Sequence, residues 1–225
     1  MAMNIPNILT VLRLLAAPGI AVMFLYFHRP WADWFALGLF IAASITDWYD
    51  GYLARLWGQE SRFGAMLDPI ADKAMVAIAL LVIVGYSGLT PWLVLPATII
   101  LFREVFVSGL REFIGSAAGT LSVTRLAKWK TTVQMVALAV LFLGTGLENV
   151  HLDLYRQMSP EAYDAALASG PRDWNTLWLV AEGGWAAGLA GIGALWVAAI
   201  LTLITGLDYF IKALPHLKDD AGEAK

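Results

Sequence analysis

Residues 47–55 read Asp47-Trp-Tyr-Asp50-Gly51-Tyr-Leu-Ala54-Arg55, and after eight residues the chain continues Gly64-Ala-Met-Leu-Asp68-Pro-Ile-Ala-Asp72. Asp47 and Asp50 are three apart, and Asp68 and Asp72 are four apart, so each pair shares one face of a helix. Gly64 lies one turn before Asp68 on the same stripe, and Pro69 suits a helix whose first turn contains it. The intervening Gly58, Gln59, Glu60, Ser61 and Arg62 suit a short turn. The spacing therefore predicts two antiparallel neighbouring helices whose carboxylate pairs meet at one end.

The rest of the 225-residue chain says what those helices sit in. Hydrophobic residues make up 59%, charged residues only 15%, and the mean hydropathy is +0.67. A soluble domain carries about 25% charged residues. The composition excludes intrinsic disorder and leaves more apolar surface than one water-soluble core can hide. Ten Trp and 20 Gly suit membrane-spanning helices with interfacial anchors. The absence of cysteine excludes disulfides, thiolate metal sites and Cys nucleophiles. A net charge of −3 gives no sign of nucleic acid as a partner.

Six stretches are apolar over about the 20 residues a span needs: 8–28, 31–50, 72–90, 92–114, 130–147 and 184–211. Asn4 to Arg13 reads as a short interfacial helix leading into the first span, with Ile5, Ile8, Leu9 and Leu12 set against Asn7, Thr10 and Arg13. Of the 15 cations, only Arg29, Arg156 and Arg172 fall on the outer side when both termini are cytoplasmic, so the positive-inside rule selects that orientation. A long extracytoplasmic loop is expected at about 148–182. Within it Ser159, Pro160 and Glu161 open a short capped helix that Gly170-Pro171 ends. His28, His151 and His216 have no partner at ligand spacing, and Trp31, Trp34, Trp92, Trp174 and Trp178 read as interface anchors. The expected architecture is an all-α integral membrane protein forming a single domain over residues 1–225.

Ionisable residues at a membrane-embedded site are costly and mark function. Four clustered carboxylates repel one another unless cations sit among them. Two divalent ions would balance the charge, and oxygen ligands without His or Cys suit Mg2+ or Mn2+. Paired ions are a recurring device in phosphoryl chemistry. Gly51, Ala54 and Gly64 are small enough to let a diphosphate approach the backbone, and Arg55 could hold a phosphate oxygen. Ion pairing of the carboxylates with Arg55, Arg62 and Lys73 is the plainer alternative. An Asp-rich prenyltransferase or an ion pathway would also use membrane carboxylates. The first lacks the Gly-x2-Ala-Arg spacing, and the second places charge near the midplane rather than at one face.

The pattern D-x2-D-G-x2-A-R-x8-G-x3-D-x3-D, filled by Asp47, Asp50, Gly51, Ala54, Arg55, Gly64, Asp68 and Asp72, resembles the signature of the CDP-alcohol phosphotransferases. The resemblance implies six transmembrane helices, a homodimer, and metal-dependent transfer from a CDP-linked donor with release of CMP. It implies Asp47, Asp50 and Asp68 as metal ligands, and Asp72 as general base that also touches the second ion. Gly51, Ala54 and Gly64, with Arg55 nearby, would line the donor site. Three further stretches, Asn4 to Arg13, Phe102 to Glu112 and Lys128 to Met135, resemble the branch whose donor is CDP-diacylglycerol and whose acceptor is glycerol 3-phosphate. They imply phospholipid synthesis at a bacterial inner membrane, with the site facing the cytoplasm. Serine, inositol phosphate and phosphatidylglycerol are the alternative acceptors within the family. An acceptor with its own phosphate needs extra cations, and Arg103, Arg111, Lys128 and Lys130 are the candidates. Their alternative role is a positive fringe paired with lipid phosphates or with Glu104 and Glu112. The segment 148–182 is longer than the resemblance implies.

Overall fold

The computed structural model describes residues 5–57, 61–115, 125–173 and 176–217, without the side chains of 5–6, 47–57, 125, 127–128 and 172–173. Its α-helices are α1 (Ile5–Tyr26), α2 (Trp31–Trp57), α3 (Arg62–Ser87), α4 (Pro91–Ile114), α5 (Arg125–Gln157), α6 (Pro160–Ser169) and α7 (Thr176–Ala213). Short 3-10 turns cover Gly170–Asp173 and Leu214–Leu217, and the described residues contain no strand.

The helix ends follow local chemistry. Ser61 is extended (φ −121°, ψ 147°) and its Oγ accepts the Gly64 N–H at 2.9 Å, which caps α3. Pro91 at the first helical position follows Thr90 at the start of α4. Gly115 (φ +52°) ends α4 and Gly170 (φ +61°) ends α6 in a region that favours glycine. Pro69 lies well inside α3 rather than in its first turn, because the Ser61 cap starts the helix early.

Among the described residues, four helical stretches are long and apolar enough to cross a membrane: Asn7–Tyr26, Pro91–Ile114, Trp129–Gln157 and Thr176–Leu217. Among the described side chains of α2, Trp31–Thr46 is apolar. Large apolar side chains such as Leu15, Leu25, Leu81, Val105 and Ile211 are exposed along the outside of the bundle. That much apolar surface marks a multi-pass membrane protein.

Two expectations change in the structure, for the N-terminal stretch and for the 148–182 segment. The N-terminal stretch is not a separate interfacial helix, since α1 runs unbroken through Arg13 and Pro18 to Tyr26. Its polar stripe of Asn7, Thr10 and Arg13 is buried against protein rather than turned toward headgroups. Among the described residues, α2 and α3 each pack chiefly on α1, so α1 bridges the two carboxylate-bearing helices. The 148–182 segment is mostly helix, because α5 continues to Gln157 and α7 begins at Thr176. The short helix capped by Ser159 is present as expected. His151 docks it, with Nε2 3.0 Å from the Tyr163 hydroxyl, while Tyr155 meets Tyr163 edge-on at 4.9 Å.

The most extensive packing joins α5 to α7. Its antiparallel register sets Leu141 against Gly191, Gly144 against Gly188 and Glu148 against Gly184. A Cβ on Gly144 would lie 3.0 Å from the Gly188 backbone nitrogen, and one on Gly191 would lie 2.7 Å from Leu141 Cγ. Small residues let the two backbones close up where apolar lipid offers no hydrophobic drive to association. Phe24, Phe40 and Phe142 pack with ring centroids 5.8–6.0 Å apart, joining α1, α2 and α5. At one end of the bundle Arg29 pairs with fully buried Asp33 and lies over the rings of Phe24 and Tyr86.

Candidate active site

At the opposite end of α1, its buried polar stripe meets α3. Ser61 Oγ donates to Asn7 Oδ1 at 2.6 Å, and Thr10 Oγ1 donates to Asp68 Oδ1 at 2.8 Å. Arg13 donates from Nη1 to Asp72 Oδ1 at 2.6 Å, while its Nη2 stands 3.7 Å from Asp68 Oδ1. The Arg13 side chain is 2% exposed, whereas Asp68 and Asp72 are 46% and 51% exposed. A buried guanidinium thus holds two carboxylates that still face outward. Its fork suits that task better than a lysine ammonium would.

Gly64 is buried, and a Cβ there would stand 2.9 Å from Asn7 Oδ1. Its smallness serves the approach of α1 to the capped start of α3. Asp47, Asp50, Gly51, Ala54 and Arg55 all lie on α2, but their side chains are outside the described residues. Among the described residues no group of three or more metal-ligating side chains forms.

The basic set divides. Lys130 forms an ion pair with Glu104, and Arg103 Nη1 lies 3.2 Å from the same Glu104 oxygen. Arg111 stacks over the Tyr209 ring at 5.3 Å. Lys128 is on α5 with its side chain outside the description. A cleft of about 190 Å3 brings Arg111 and Lys130 to Asp72, together with Lys73, Glu104 and Gln134. Arg103 does not line it, but reaches its edge through Glu104. Lys73 donates to Ser108 Oγ at 2.6 Å, and Ser108 donates on to the Glu104 carbonyl at 2.5 Å.

Sequence reasoning missed Thr10, Arg13 and Gln134 as neighbours of the site; it named Lys73 and Glu104 as ion-pair partners, and Glu104 does pair with Lys130 and Arg103. For Arg13 a signal existed, since it is an ionisable residue within an apolar helix. For Gln134 the only signal was its place one turn after Lys130.

A membrane bundle with paired aspartates at one end, joined to a basic cleft, is the arrangement of a phosphoryl-group transferase. The chain belongs to the CDP-alcohol phosphatidyltransferase family, whose model matches residues 3–167. It is 66% identical over 218 residues to the CDP-diacylglycerol–glycerol-3-phosphate 3-phosphatidyltransferase of Cereibacter sphaeroides, covering 96% of this chain and 98% of that one. It is 38% identical to the enzyme of the same name from Pseudomonas fluorescens, over 97% of this chain and 94% of that one. Against the Escherichia coli enzyme of that name the identity is 35%, over 97% of this chain and all of that one.

Proposed function

We propose that this protein transfers the phosphatidyl group of CDP-diacylglycerol to sn-glycerol 3-phosphate, giving phosphatidylglycerol phosphate and CMP. The observation that carries the reading is the cleft that joins Asp72 to Arg111 and Lys130. It sets a proton acceptor beside cations able to hold an acceptor's phosphate. In this reading Asp72 takes the proton of the acceptor's 1-hydroxyl as that oxygen attacks the β-phosphorus of the donor. The bond from the β-phosphorus to the bridging oxygen breaks, and CMP leaves with that oxygen. Arg111 and Lys130 bind the acceptor phosphate, with Arg103 and Lys128 adding to the field around it. Gly51, Ala54 and Gly64 with Arg55 serve the donor side.

Asp47, Asp50, Asp68 and Asp72 offer only hard oxygen ligands, which fits two ions of Mg2+ or Mn2+. The two described members support that fit, because both are half-exposed carboxylates on one face of α3. Bound there, the ions would offset the carboxylate charge and the charge developing on the departing CMP. Arg13 and Thr10 keep Asp68 and Asp72 aimed outward. Six spans, both termini in the cytoplasm, a cytoplasm-facing site in a bacterial inner membrane and a homodimer complete the reading, with residues 1–225 as one domain.

An acceptor competition tests it. Purified enzyme with CDP-diacylglycerol and Mg2+ or Mn2+ should release CMP with glycerol 3-phosphate, and should stop on chelation. Turnover with serine, inositol phosphate or phosphatidylglycerol but none with glycerol 3-phosphate would overturn it.

A further inference from the structure

Gln134 lines the same cleft as Asp72, Arg111 and Lys130. Its residue is 2% exposed, yet its Oε1 has no hydrogen-bond partner among the described residues. Buried amides are almost always satisfied, so an orphan at a substrate cleft needs an explanation. A donor carried in by the substrate would supply it.

Geometry says which donor. Lys130 and Gln134 are four apart on α5, so they share a face and their Cβ atoms are about 5–6 Å apart. Asp72 forms part of the same cleft from α3. A three-carbon phosphate anchored at Lys130 and Arg111, with its terminal hydroxyl at Asp72, presents its middle hydroxyl between them. The cleft of about 190 Å3 is below the roughly 300–1,000 Å3 of drug-sized pockets, which suits so short an acceptor. Glu104 is less suited to the task, since Lys130 and Arg103 both converge on its Oε1. A hydroxyl both donates and accepts, so it satisfies the Gln134 amide whichever way the amide is turned.

We propose that Gln134 is a specificity-determining residue that reads the 2-hydroxyl of the acceptor, an inference that rests on the acceptor reading above. A site built to hydrogen-bond a hydroxyl rejects the analogue lacking it strongly, because the protein group is then left unpaired.

The test compares glycerol 3-phosphate with 3-hydroxypropyl phosphate, which lacks only the 2-hydroxyl. The wild-type enzyme should prefer glycerol 3-phosphate in kcat/KM by about a hundredfold or more. Gln134→Met, similar in volume but without the amide, should cut the preference below about tenfold, with the larger loss falling on glycerol 3-phosphate turnover. Gln134→Glu keeps an oxygen acceptor in place and should retain the preference. A wild-type enzyme that uses both acceptors within about threefold would overturn the proposal without any variant. So would a Gln134→Met enzyme with the wild-type ratio. Failure of the acceptor reading looks different: the wild type would then not turn over glycerol 3-phosphate at all.

Discussion

Arg13 is the residue on which the described half of the site turns. Removing one partner of a fully buried ion pair costs about 3–5 kcal/mol, and the half-exposed state of Asp68 and Asp72 lowers that figure. Arg13→Gln should therefore destabilise the protein by about 1–3 kcal/mol in detergent unfolding and reduce kcat. Arg13→Lys, which keeps charge but loses the fork, should recover part of the stability and less of the activity. Asp72→Asn should abolish CMP release while donor binding, measured by ligand-induced thermal stabilisation, is retained. Asp68 and Asp72 stood out in the sequence because charge is scarce and their spacing is regular, and the structure brings both to Arg13. Arg13 and Thr10 were not legible as partners. A polar stripe every third residue fits a helix facing headgroups as well as one facing another helix, and only the docking of α1 on α3 decides. Gln134 was hidden for a related reason, since nothing local separates a cleft residue from a membrane-fringe residue, whereas Glu104 was legible as a partner of the basic set.

Among the elements, α5 and α7 carry the clearest packing test. Gly144→Ala would push a methyl to 3.0 Å from a backbone nitrogen of α7, which cannot yield without moving the helix. Overpacking of this kind costs about 1–3 kcal/mol, and a lowered unfolding midpoint should report it. Gly193→Ala meets nothing within 4 Å and should be neutral or slightly stabilising, since alanine is the better helix former. Hydropathy found every long helix but ended the fifth near residue 147. It measures apolarity, whereas the helix itself continues through Asn149, His151 and Asp153 to Gln157 on backbone hydrogen bonds that polar side chains do not interrupt. The cap at Ser159 and the stop at Gly170 were legible because both depend on short-range chemistry alone.

At the scale of the whole molecule, the proposed orientation can be mapped directly, because the chain contains no cysteine to remove. A membrane-impermeant maleimide applied to intact spheroplasts should label Ala162→Cys on α6. It should label Ala224→Cys only after permeabilisation, and the reverse pattern would invert the orientation. The contact between α1 and α3 also has a consequence for biosynthesis. Arg13 leaves the ribosome 59 residues before Asp72. At bacterial translation rates that is an interval of about 3–12 s in which its counter-ions do not yet exist. During that wait the first helix carries a cation with no carboxylate to receive it, so its own insertion is handicapped for the sake of the finished enzyme. Arg13→Leu should accordingly let an isolated α1 segment insert more readily in a translocon assay while it impairs the full-length protein, and equal insertion of the two segments would show that the nascent helix bears no such handicap.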